Sequence, residues 1–381
     1  MIVDRHANPG GHWNDVYPFV TLHQPALFYG VNSEPLGRGG EDLSSGAEIL
    51  AYCQRVLEKM LRSGQVKYFP QSESVGNSRF RSLLEPELEY EVLVRRKVVD
   101  ATYMNVEVPS VRGPKYKVAE GTAVVPNDSR FLDRAQIQPN RPVGEGLGAH
   151  METLLAAENL SEGMRDLARA GRLLQLGPEV WPTKYRCATV SRDELIELRR
   201  IRQVIREGRV VEVKPDAVVL EQGQWSSDKK VLFVDCSADG LAHRDRCPVF
   251  ERSRITLQSL MICQQVFSAS LIAMVEIRYA SDEVEQNRLC QPVPHPVDTR
   301  DFLLAFALTS ANLQAWGAAF GRWLRRSRLS ILSHESLLNL IRQAWHARKN
   351  VVGSSERIER MLAQEFPERQ IDRKAPASAA D

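Results

Sequence analysis

The first thirteen residues constrain the fold of this chain more than any other stretch. A short apolar strand, Ile2-Val3, ends in Asp4 and is followed by the turn Asn8-Pro9-Gly10-Gly11, then by His12 and Trp13. In a nucleotide-binding βαβ unit, the acid that ends the second strand binds a ribose hydroxyl, and a glycine-rich phosphate turn lies about 20 residues before it. Asp4 has no such sequence before it. Either the sequence begins too late to include that turn, or the fold is not a nucleotide-binding fold.

Length and composition indicate the class of protein and exclude some partners. The 381 residues allow two or three domains, and 43% hydrophobic with 26% charged residues is the composition of a soluble globular protein. A net charge of +2 gives no reason to expect a nucleic acid or an anionic membrane as partner. The N-terminus lacks the apolar segment of a signal peptide. We therefore expect a cytoplasmic protein with a small-molecule substrate.

The cysteines argue against a zinc site and against a disulfide framework, because no C-x-x-C pair occurs. The six are Cys53, Cys187, Cys236, Cys247, Cys263 and Cys290. Apolar neighbours predict that Cys53, Cys236 and Cys263 are buried free thiols, which fits a reducing cytoplasm. No metal site is predicted.

One apolar stretch, Phe302 to Gly321, is long enough to span a bilayer. It is rich in alanine and contains Thr309, Asn312 and Gln314 near its middle. We therefore expect a buried or half-buried helix of the folded protein.

Periodicity and capping signals predict the other helices. Ser45 and Glu48 form a capping box for a helix over 45–63, and Ser191 with Glu194 does the same for a helix that runs to Glu207. Ser161 is a possible cap between two helical segments of 151–175. Four further helices are predicted in the last third of the chain, at about 258–280, 301–328, 333–349 and 355–365.

The predicted strands fall into three groups. Residues 65–103 contain several, including a meander pair at 79–84 and 90–94, and residues 209–220 form a β-hairpin around Lys214-Pro215-Asp216. Val231 to Val234 is a nearly continuous apolar strand, which is typical of strands buried on both faces of a parallel sheet.

Four segments occur in an order that resembles one class of flavoprotein. Asp4 with Pro9-Gly10-Gly11-His12-Trp13 resembles the end of the FAD-binding βαβ unit of flavin-containing monooxygenases, where the acid is followed by a Gly-Gly-x-Trp turn. Leu22-His23-Gln24-Pro25 resembles the segment that follows it there. Val98-Val99-Asp100-Ala101-Thr102-Tyr103 and Val234-Asp235-Cys236-Ser237-Ala238-Asp239-Gly240 resemble the Ala-Thr-Gly signature after a strand, where the family's chain passes close to the cofactor. The best match is to bacterial NAD(P)/FAD-dependent oxidoreductases, through nearly the whole chain to about residue 330.

The resemblance implies a fold, a cofactor and a set of contact residues. The fold would be α/β, a truncated Rossmann-like FAD/NAD(P)-binding fold with a mostly parallel sheet, an antiparallel β add-on and a helical C-terminal region. Its parts would be an FAD-binding remnant (1–125), a mainly helical residual nicotinamide-nucleotide domain (126–208), a return to the FAD domain with the C-terminal helices (209–368) and a disordered tail (369–381). FAD would contact Asp4, Gly10, Gly11, His12, Trp13, Gln24, Asp100, Ala101, Thr102, Asp239 and Gly240.

The sequence departs from this family at both phosphate sites, since neither expected G-x-G-x-x-G turn is present. Gly144, Gly146 and Gly148 follow no apolar strand and form a loop instead. The helix N-terminus behind such a turn stabilises the pyrophosphate, so most of the anion site is missing. Without the first strand of the unit, residues 1–3 would also lack a neighbouring strand.

Two hypotheses of different classes follow. The chain is either an FAD-dependent, monooxygenase-like oxidoreductase with NAD(P)H as electron donor, or a degenerate, non-catalytic relative that acts as a binding or interaction protein. A wrong start site is a third possibility, which would restore only the first turn. No catalytic side chain is predicted, because the flavin itself would supply the chemistry.

The individual residues also have purely structural interpretations. Asp4 would then be an ordinary acid, Gly10 and Gly11 a turn that needs positive φ, and Trp13 a core aromatic. His12 would make a structural hydrogen bond, and the Gln24 amide would stabilise its own loop.

Overall fold

The computed structural model describes residues 1–16, 20–22, 24–39, 42–104, 113–126, 152–177, 180–181, 192–226, 231–237, 244–334, 357–358, 360–361 and 363. Its helices are α1 (Gly46–Arg62), α2 (152–156), α3 (Leu160–Arg169), α4 (Arg192–Leu198), α5 (Gln265–Arg278), α6 (Glu283–Leu289) and α7 (Thr299–Arg326). Its strands are β1 (Ile2–Val3), β2 (Tyr68–Phe69), β3 (Ser72–Gly76), β4 (Arg79–Ser82), β5 (Glu89–Glu91), β6 (Val98–Asp100), β7 (Lys117–Val118), β8 (Val124–Pro126), β9 (Val210–Val213), β10 (Ala217–Leu220), β11 (Gln224–Ser226), β12 (Phe233–Asp235), β13 (Phe250–Glu251) and β14 (Arg254–Thr256). The protein is therefore a mixed α/β protein.

The strands form five small sheets across the described ranges. The orders are β1-β2, β11-β10-β9-β7, β12-β8, β13-β14-β6 and β3-β4-β5, and the pairs β1-β2, β7-β9, β8-β12 and β6-β14 are parallel. The prediction of one mostly parallel sheet is not met there, and the Rossmann-like topology and the domain boundaries stay predictions. The meander over β3–β5 and the β9-β10 hairpin are confirmed.

Two predictions about single strands are wrong. The prediction that residues 1–3 lack a neighbour fails because β1 pairs with β2, with Ile2 opposite Tyr68. The apolar strand near residue 233 is not buried on both faces, since Leu232 is 50% and Val234 is 44% exposed. Within the described residues β12 pairs only with β8, so it is an edge strand of a two-stranded sheet and not a central strand of a larger one.

Helix α1 has the predicted capping box, with the Ser45 Oγ accepting from the Glu48 amide and the Glu48 carboxylate accepting from the Ser45 amide. Three other helix boundaries differ from the prediction. Asn159 caps α3 in place of Ser161, since its side chain accepts from the Glu162 amide. The other two changes are that α4 ends at Leu198 and that α5 begins only at Gln265.

The early end of α4 has a physical cause. Ile201, Val204 and Ile205 would continue its apolar face, but they are 60%, 54% and 44% exposed, so no tertiary partner stabilises further turns. Ser191 of the predicted capping box, Gly144 to Gly148, the helix at 333–349 beyond residue 334 and the tail lie outside the described residues.

The buried side chains form three clusters. The largest joins β13, β14, α5 and α6 to the second half of α7, around Phe267 and Trp316. The second packs α2 and α3 on the first half of α7, and the third joins α1 to the N-terminal loop. Of the described helices, α7 is long and apolar enough to cross a membrane. Here its Phe302, Phe306 and Trp316 pack inside the protein, as the sequence predicted for this stretch.

The cysteine prediction is correct only in part. All five cysteines within the described ranges are free thiols, but Cys236 is exposed, and Cys53 and Cys263 are only half-buried. Apolar neighbours in sequence do not bury Cys236, because it follows the partly exposed strand β12. Cys290, at the end of α6, is the fully buried thiol.

Candidate functional site

The acid at the end of β1 lies in a hydrogen-bonded group of its own. The Asp4 carboxylate accepts from the His6 amide at 2.9 Å and lies 3.1 Å from His6 Nδ1, while His6 Nε2 lies 2.9 Å from the Asp15 carboxylate. Burial works to lower the pKa of His6, but the hydrogen bonds and charges of Asp15 and Asp4 outweigh it and raise the pKa above 6.5. Burial and the neighbouring Asp4 raise the pKa of Tyr68 to about 12. Its hydroxyl also points to Asp4, at 3.4 Å.

The glycine turn that follows serves packing at one residue and is open at the next. Gly10 has φ of 132°, which favours glycine, and a Cβ there would lie 2.5 Å from Leu50 Cδ2 of α1, so another residue would also force this side chain to shift. Gly11 has φ of 55°, and a Cβ there would meet nothing within 4 Å. Trp13 is buried and donates from Nε1 to the Tyr29 hydroxyl at 2.6 Å.

The remaining residues of the N-terminal set have different surroundings. His12 is exposed, and its ring lies 5.3 Å from that of Trp13. Gln24 reaches a distant part of the chain, because its side-chain oxygen accepts from Gln264 Nε2, at the start of α5, at 2.9 Å. His23 lies outside the described residues.

After β6, the acid Asp100 and the small residues that follow it form a turn closed by their own hydrogen bonds. The Asp100 carboxylate accepts from the amide and the hydroxyl of Thr102, at 2.8 and 2.7 Å, and also from the Arg254 guanidinium. Burial works to raise the pKa of Asp100, but these hydrogen bonds and the Arg254 charge hold it below its usual value. Ala101 is exposed beside this turn.

The second segment of this kind repeats the same turn. After β12, the Asp235 carboxylate accepts from the amide of Ser237 at 2.8 Å and from its hydroxyl at 2.5 Å. Asp239 and Gly240 lie outside the described residues, so their predicted contact with a cofactor stays a prediction.

A cleft opens where the parallel strands β6 and β14 end. Residues that follow β6 line one wall, residues that follow β14 line the second, and the segments 244–246 and 292–295 complete it. The lining residues are Tyr103, Met104, Arg244, Asp245, Arg246, Gln258, Ser259, Pro292, Val293, Pro294 and His295. In α/β proteins, ligands bind beyond the carboxyl ends of parallel strands. The position of this cleft therefore makes it the candidate functional site.

Helix α7 holds two walls of the cleft through a polar side chain in its apolar sequence. Asn312 Nδ2 donates to the carbonyls of Leu260 and Gln291, both at 2.8 Å. The Val293 amide donates to the Ser259 carbonyl at 2.7 Å and joins the two segments directly. Between this wall and α5, Ile262 has φ of 42°, a costly conformation for a β-branched residue of the kind that clusters at functional sites.

Within the cleft, the polar groups are of two kinds. The Tyr103 hydroxyl donates to the Asp245 carbonyl at 2.6 Å, and the Gln258 amide bonds the backbone of Cys247, so these side chains shape the walls. Ser259 and His295 are 1% and 6% exposed, and Ser259 Oγ lies 3.5 Å from His295 Nε2.

Sequence reasoning found only the entrance to this cleft. It pointed to the end of β6, but not to Ser259 or to His295, which lie in stretches without a recognisable motif. The one available signal was the histidine enclosed by prolines in Pro292-Val293-Pro294-His295, a pattern that favours a rigid loop.

The described residues meet only part of what FAD requires. The open backbone at Gly11, the polar cleft and the arginines 244 and 246 suit a nucleotide or a flavin edge. A glycine turn at a helix N-terminus, the element that binds a pyrophosphate, is not found within the described ranges. Those ranges also contain no group of three His, Cys, Asp or Glu side chains that could hold a metal ion.

Comparison with known proteins places the chain among mycobacterial relatives. No protein-family model matches it. Among solved structures, a flavin-containing monooxygenase from Stenotrophomonas maltophilia is similar over 70% of this chain and 80% of its own, with 15% identity and a TM-score of 0.34, which is too low to establish a common fold.

Two similar proteins are the uncharacterized protein Rv2000 of Mycobacterium tuberculosis (strain H37Rv) and the uncharacterized protein Mb2023 of Mycobacterium bovis. Each is 38% identical over 394 residues, which span 87% of this chain and 73% of the relative. Because 87% of a 381-residue chain is fewer than 394 residues, parts of the aligned relatives have no counterpart here. The chain belongs to the same family as these mycobacterial proteins.

Proposed function

We propose that this protein is an FAD-dependent oxidoreductase of the monooxygenase-like type, with NAD(P)H as electron donor, and that its ligands meet at the cleft beyond β6 and β14. One observation carries the proposal. The segment Val98–Tyr103, which resembles the cofactor-approaching strand of flavoproteins, leads directly into a polar cleft at the carboxyl ends of a parallel strand pair.

The residues in and near the cleft would have different roles in ligand binding. Arg244 and Arg246 provide positive charge for a phosphate or another anionic group, and the Arg244 guanidinium lies over the Tyr103 ring. The Gln24–Gln264 hydrogen bond ties the N-terminal loop that contains Gln24 to the start of α5, where Gln265 contacts the cleft residue His295. When bound, the flavin would supply the electron transfer, and the protein would bind, orient and shield it.

A binding protein without catalysis is the second candidate, and the N-terminal turn favours it. The Asp4 carboxylate is already engaged by His6 and Tyr68, and Gly10 faces Leu50 of α1 rather than open space. In the part of the chain that the structure describes, no glycine turn precedes an α-helix as a pyrophosphate site would require, which points in the same direction. In this case the chain uses its cleft for recognition alone.

The visible absorption spectrum of the purified protein separates the candidates. The spectrum is recorded as purified and again after FAD is added and the excess removed, followed by an assay of NAD(P)H oxidation. Flavin bands that stay with the protein, together with NAD(P)H oxidation, support the oxidoreductase. A protein that retains no FAD contradicts it.

Two variants locate the site. Arg244→Gln removes a charge at the cleft, and we expect it to weaken FAD retention by roughly tenfold, as for the loss of one charged hydrogen bond. The matched control is Arg252→Gln in the exposed turn between β13 and β14, which should retain FAD as the unmodified protein does. Equal retention by both variants would place the flavin elsewhere.

A further inference from the structure

The cleft contains two nearly buried polar side chains that come from two different segments of the chain. Ser259 and His295 are 1% and 6% exposed, and Ser259 Oγ faces His295 Nε2 at 3.5 Å. Other buried polar groups nearby have evident structural tasks, such as the Ser268 hydroxyl, which bonds the Leu260 amide and the Gln264 carbonyl. The Ser259–His295 pair instead lines the cleft from two different segments.

The contacts of His295 Nε2 indicate which ring nitrogen carries the proton. Its Nε2 lies 3.5 Å from Ser259 Oγ and 3.5 Å from Gln265 Nε2. Because the Gln265 amide nitrogen can only donate, we assign Nε2 as the acceptor of the neutral ring, with one lone pair that faces both the Gln265 amide and the Ser259 hydroxyl at 3.5 Å. A neutral imidazole whose acceptor nitrogen meets a serine hydroxyl is arranged to take a proton through that hydroxyl.

We infer that Ser259 and His295 form a proton-accepting pair that serves a ligand bound in the cleft. A hydroxyl or protonated amine of the ligand gives its proton to Ser259 Oγ as Ser259 gives its own to His295 Nε2. The ligand O–H or N–H bond breaks, a bond to Oγ replaces the one that Oγ loses, and an Nε2–H bond forms. The step is a proton transfer, and no group is oxidised or reduced.

The ligand class follows from the groups around the pair. The titratable and charged side chains that line the cleft with His295 are Tyr103, Arg244, Asp245 and Arg246. The two arginines stabilise a ligand that becomes more negative as it loses its proton. The two arginines therefore favour a small molecule with a proton-bearing hydroxyl or amine next to an anionic group. This inference rests on the proposed function in placing the ligand here.

The 3.5 Å separation is longer than that of a strong hydrogen bond. Hydrogen bonds of this kind are often long in the free protein and tighten only when the ligand binds. The Val293–Ser259 backbone bond and the anchoring by Asn312 hold both segments, so the pair needs only a side-chain adjustment to close.

The first experiment needs no cofactor. In protein labelled with ¹⁵N-histidine, nuclear magnetic resonance reads the tautomer of His295 directly, and its signal is identified by its loss in His295→Gln. We expect an unprotonated Nε2 at neutral pH, and a titration midpoint that moves in Ser259→Ala but not in Ser268→Ala. A proton on Nε2, or a midpoint indifferent to Ser259→Ala, overturns the inference.

The second experiment tests the role in the FAD-loaded protein. We expect His295→Gln to retain FAD, to lower kcat for NAD(P)H-dependent turnover by about 10²-fold or more, and to lose the low-pH limb of the kcat profile. Retained FAD with an unchanged profile overturns the role. Failure of the unmodified protein to retain FAD refutes the proposed function instead, and the pair is then judged on the tautomer and its coupling to Ser259.

Discussion

A single arginine joins the N-terminal loop to the C-terminal end of α7, and its replacement should open that loop. The Arg328 guanidinium donates to the backbone carbonyls of Leu27, Tyr29, Val31 and Glu34, at 3.0 Å for Tyr29 and 2.9 Å for Glu34. The loop is half-buried and lacks a regular hydrogen-bonding pattern. The Val31 and Glu34 carbonyls also accept from the Glu34 amide and the Tyr52 hydroxyl, so the carbonyls of Leu27 and Tyr29 depend most on the guanidinium. We therefore take Arg328→Met as the decisive perturbation.

The expected magnitude follows from the bonds that are lost. A hydrogen bond to a charged group contributes about 1.5–3 kcal/mol, and a buried carbonyl left without a partner costs about 1–3 kcal/mol. Five bonds from one guanidinium to four carbonyls are not additive, and water reaches part of a half-buried loop. We expect Arg328→Met to lower the free energy of loop opening by about 3 kcal/mol. Arg328→Lys keeps the charge without the planar fork and should lose roughly half of that.

Hydrogen exchange of the loop amides measures this directly. The amides of Tyr29 and Val31 are bonded to the Ala26 carbonyl and to the Tyr52 hydroxyl, both at 2.9 Å. A loss of about 3 kcal/mol should raise their exchange rates roughly 10²-fold, since 1.36 kcal/mol corresponds to a factor of ten.

The control is a neighbouring arginine of similar length. Arg325, in the last turn of α7, has an exposed side chain, and Arg325→Met should leave these rates unchanged. Exchange in Arg328→Met at the rate of Arg325→Met would refute the reasoning that this guanidinium holds the loop.

Two further predictions concern the N-terminal turn. Because Asp4 and Asp15 raise the pKa of His6, the protonated ring stabilises the fold below the unfolded pKa of about 6.5, and this stability is lost as pH rises through the higher folded pKa. The thermal midpoint should therefore fall between pH 6 and pH 9 more in the unmodified protein than in His6→Gln. Gly10→Ala should lower stability by about 1–3 kcal/mol in chemical denaturation, because the added Cβ would lie 2.5 Å from Leu50 Cδ2 at a positive φ.

Each of these has an outcome that would contradict it. Parallel pH dependences for the unmodified protein and His6→Gln would show that the ring is not protonated between the two carboxylates. Gly11→Ala is the control for Gly10→Ala, since φ is also positive there but a Cβ meets open space. Equal losses from the two glycines would show that the contact with α1 is unimportant.

The elements that the sequence determined by itself are those whose signals lie within a few residues. The Ser45–Glu48 capping box, the hairpin around Lys214-Pro215-Asp216 and the apolar helix 302–321 are all present, because a capping bond, a turn or a periodic face acts over one or two turns of chain. The positive φ angles of Gly10 and Gly11 also follow from such a local requirement.

Tertiary structure determined those elements whose formation requires contact with a distant part of the chain. The apolar face of α4 was readable to Glu207, yet the helix ends at Leu198 because the exposed Ile201 and Ile205 have no surface to pack on. β1 pairs in parallel with β2, more than sixty residues away in sequence. No local pattern in either strand specifies this pairing.

The candidate site belongs almost wholly to this second class. Ser259 and His295 meet because a backbone bond from Val293 and the side chain of Asn312 hold the segment after β14 against the segment after α6. The sequence contained each of these residues, but hydrogen bonds between distant segments leave no periodicity and no motif. Only the folded chain brings the serine, the histidine and the arginines to one cleft.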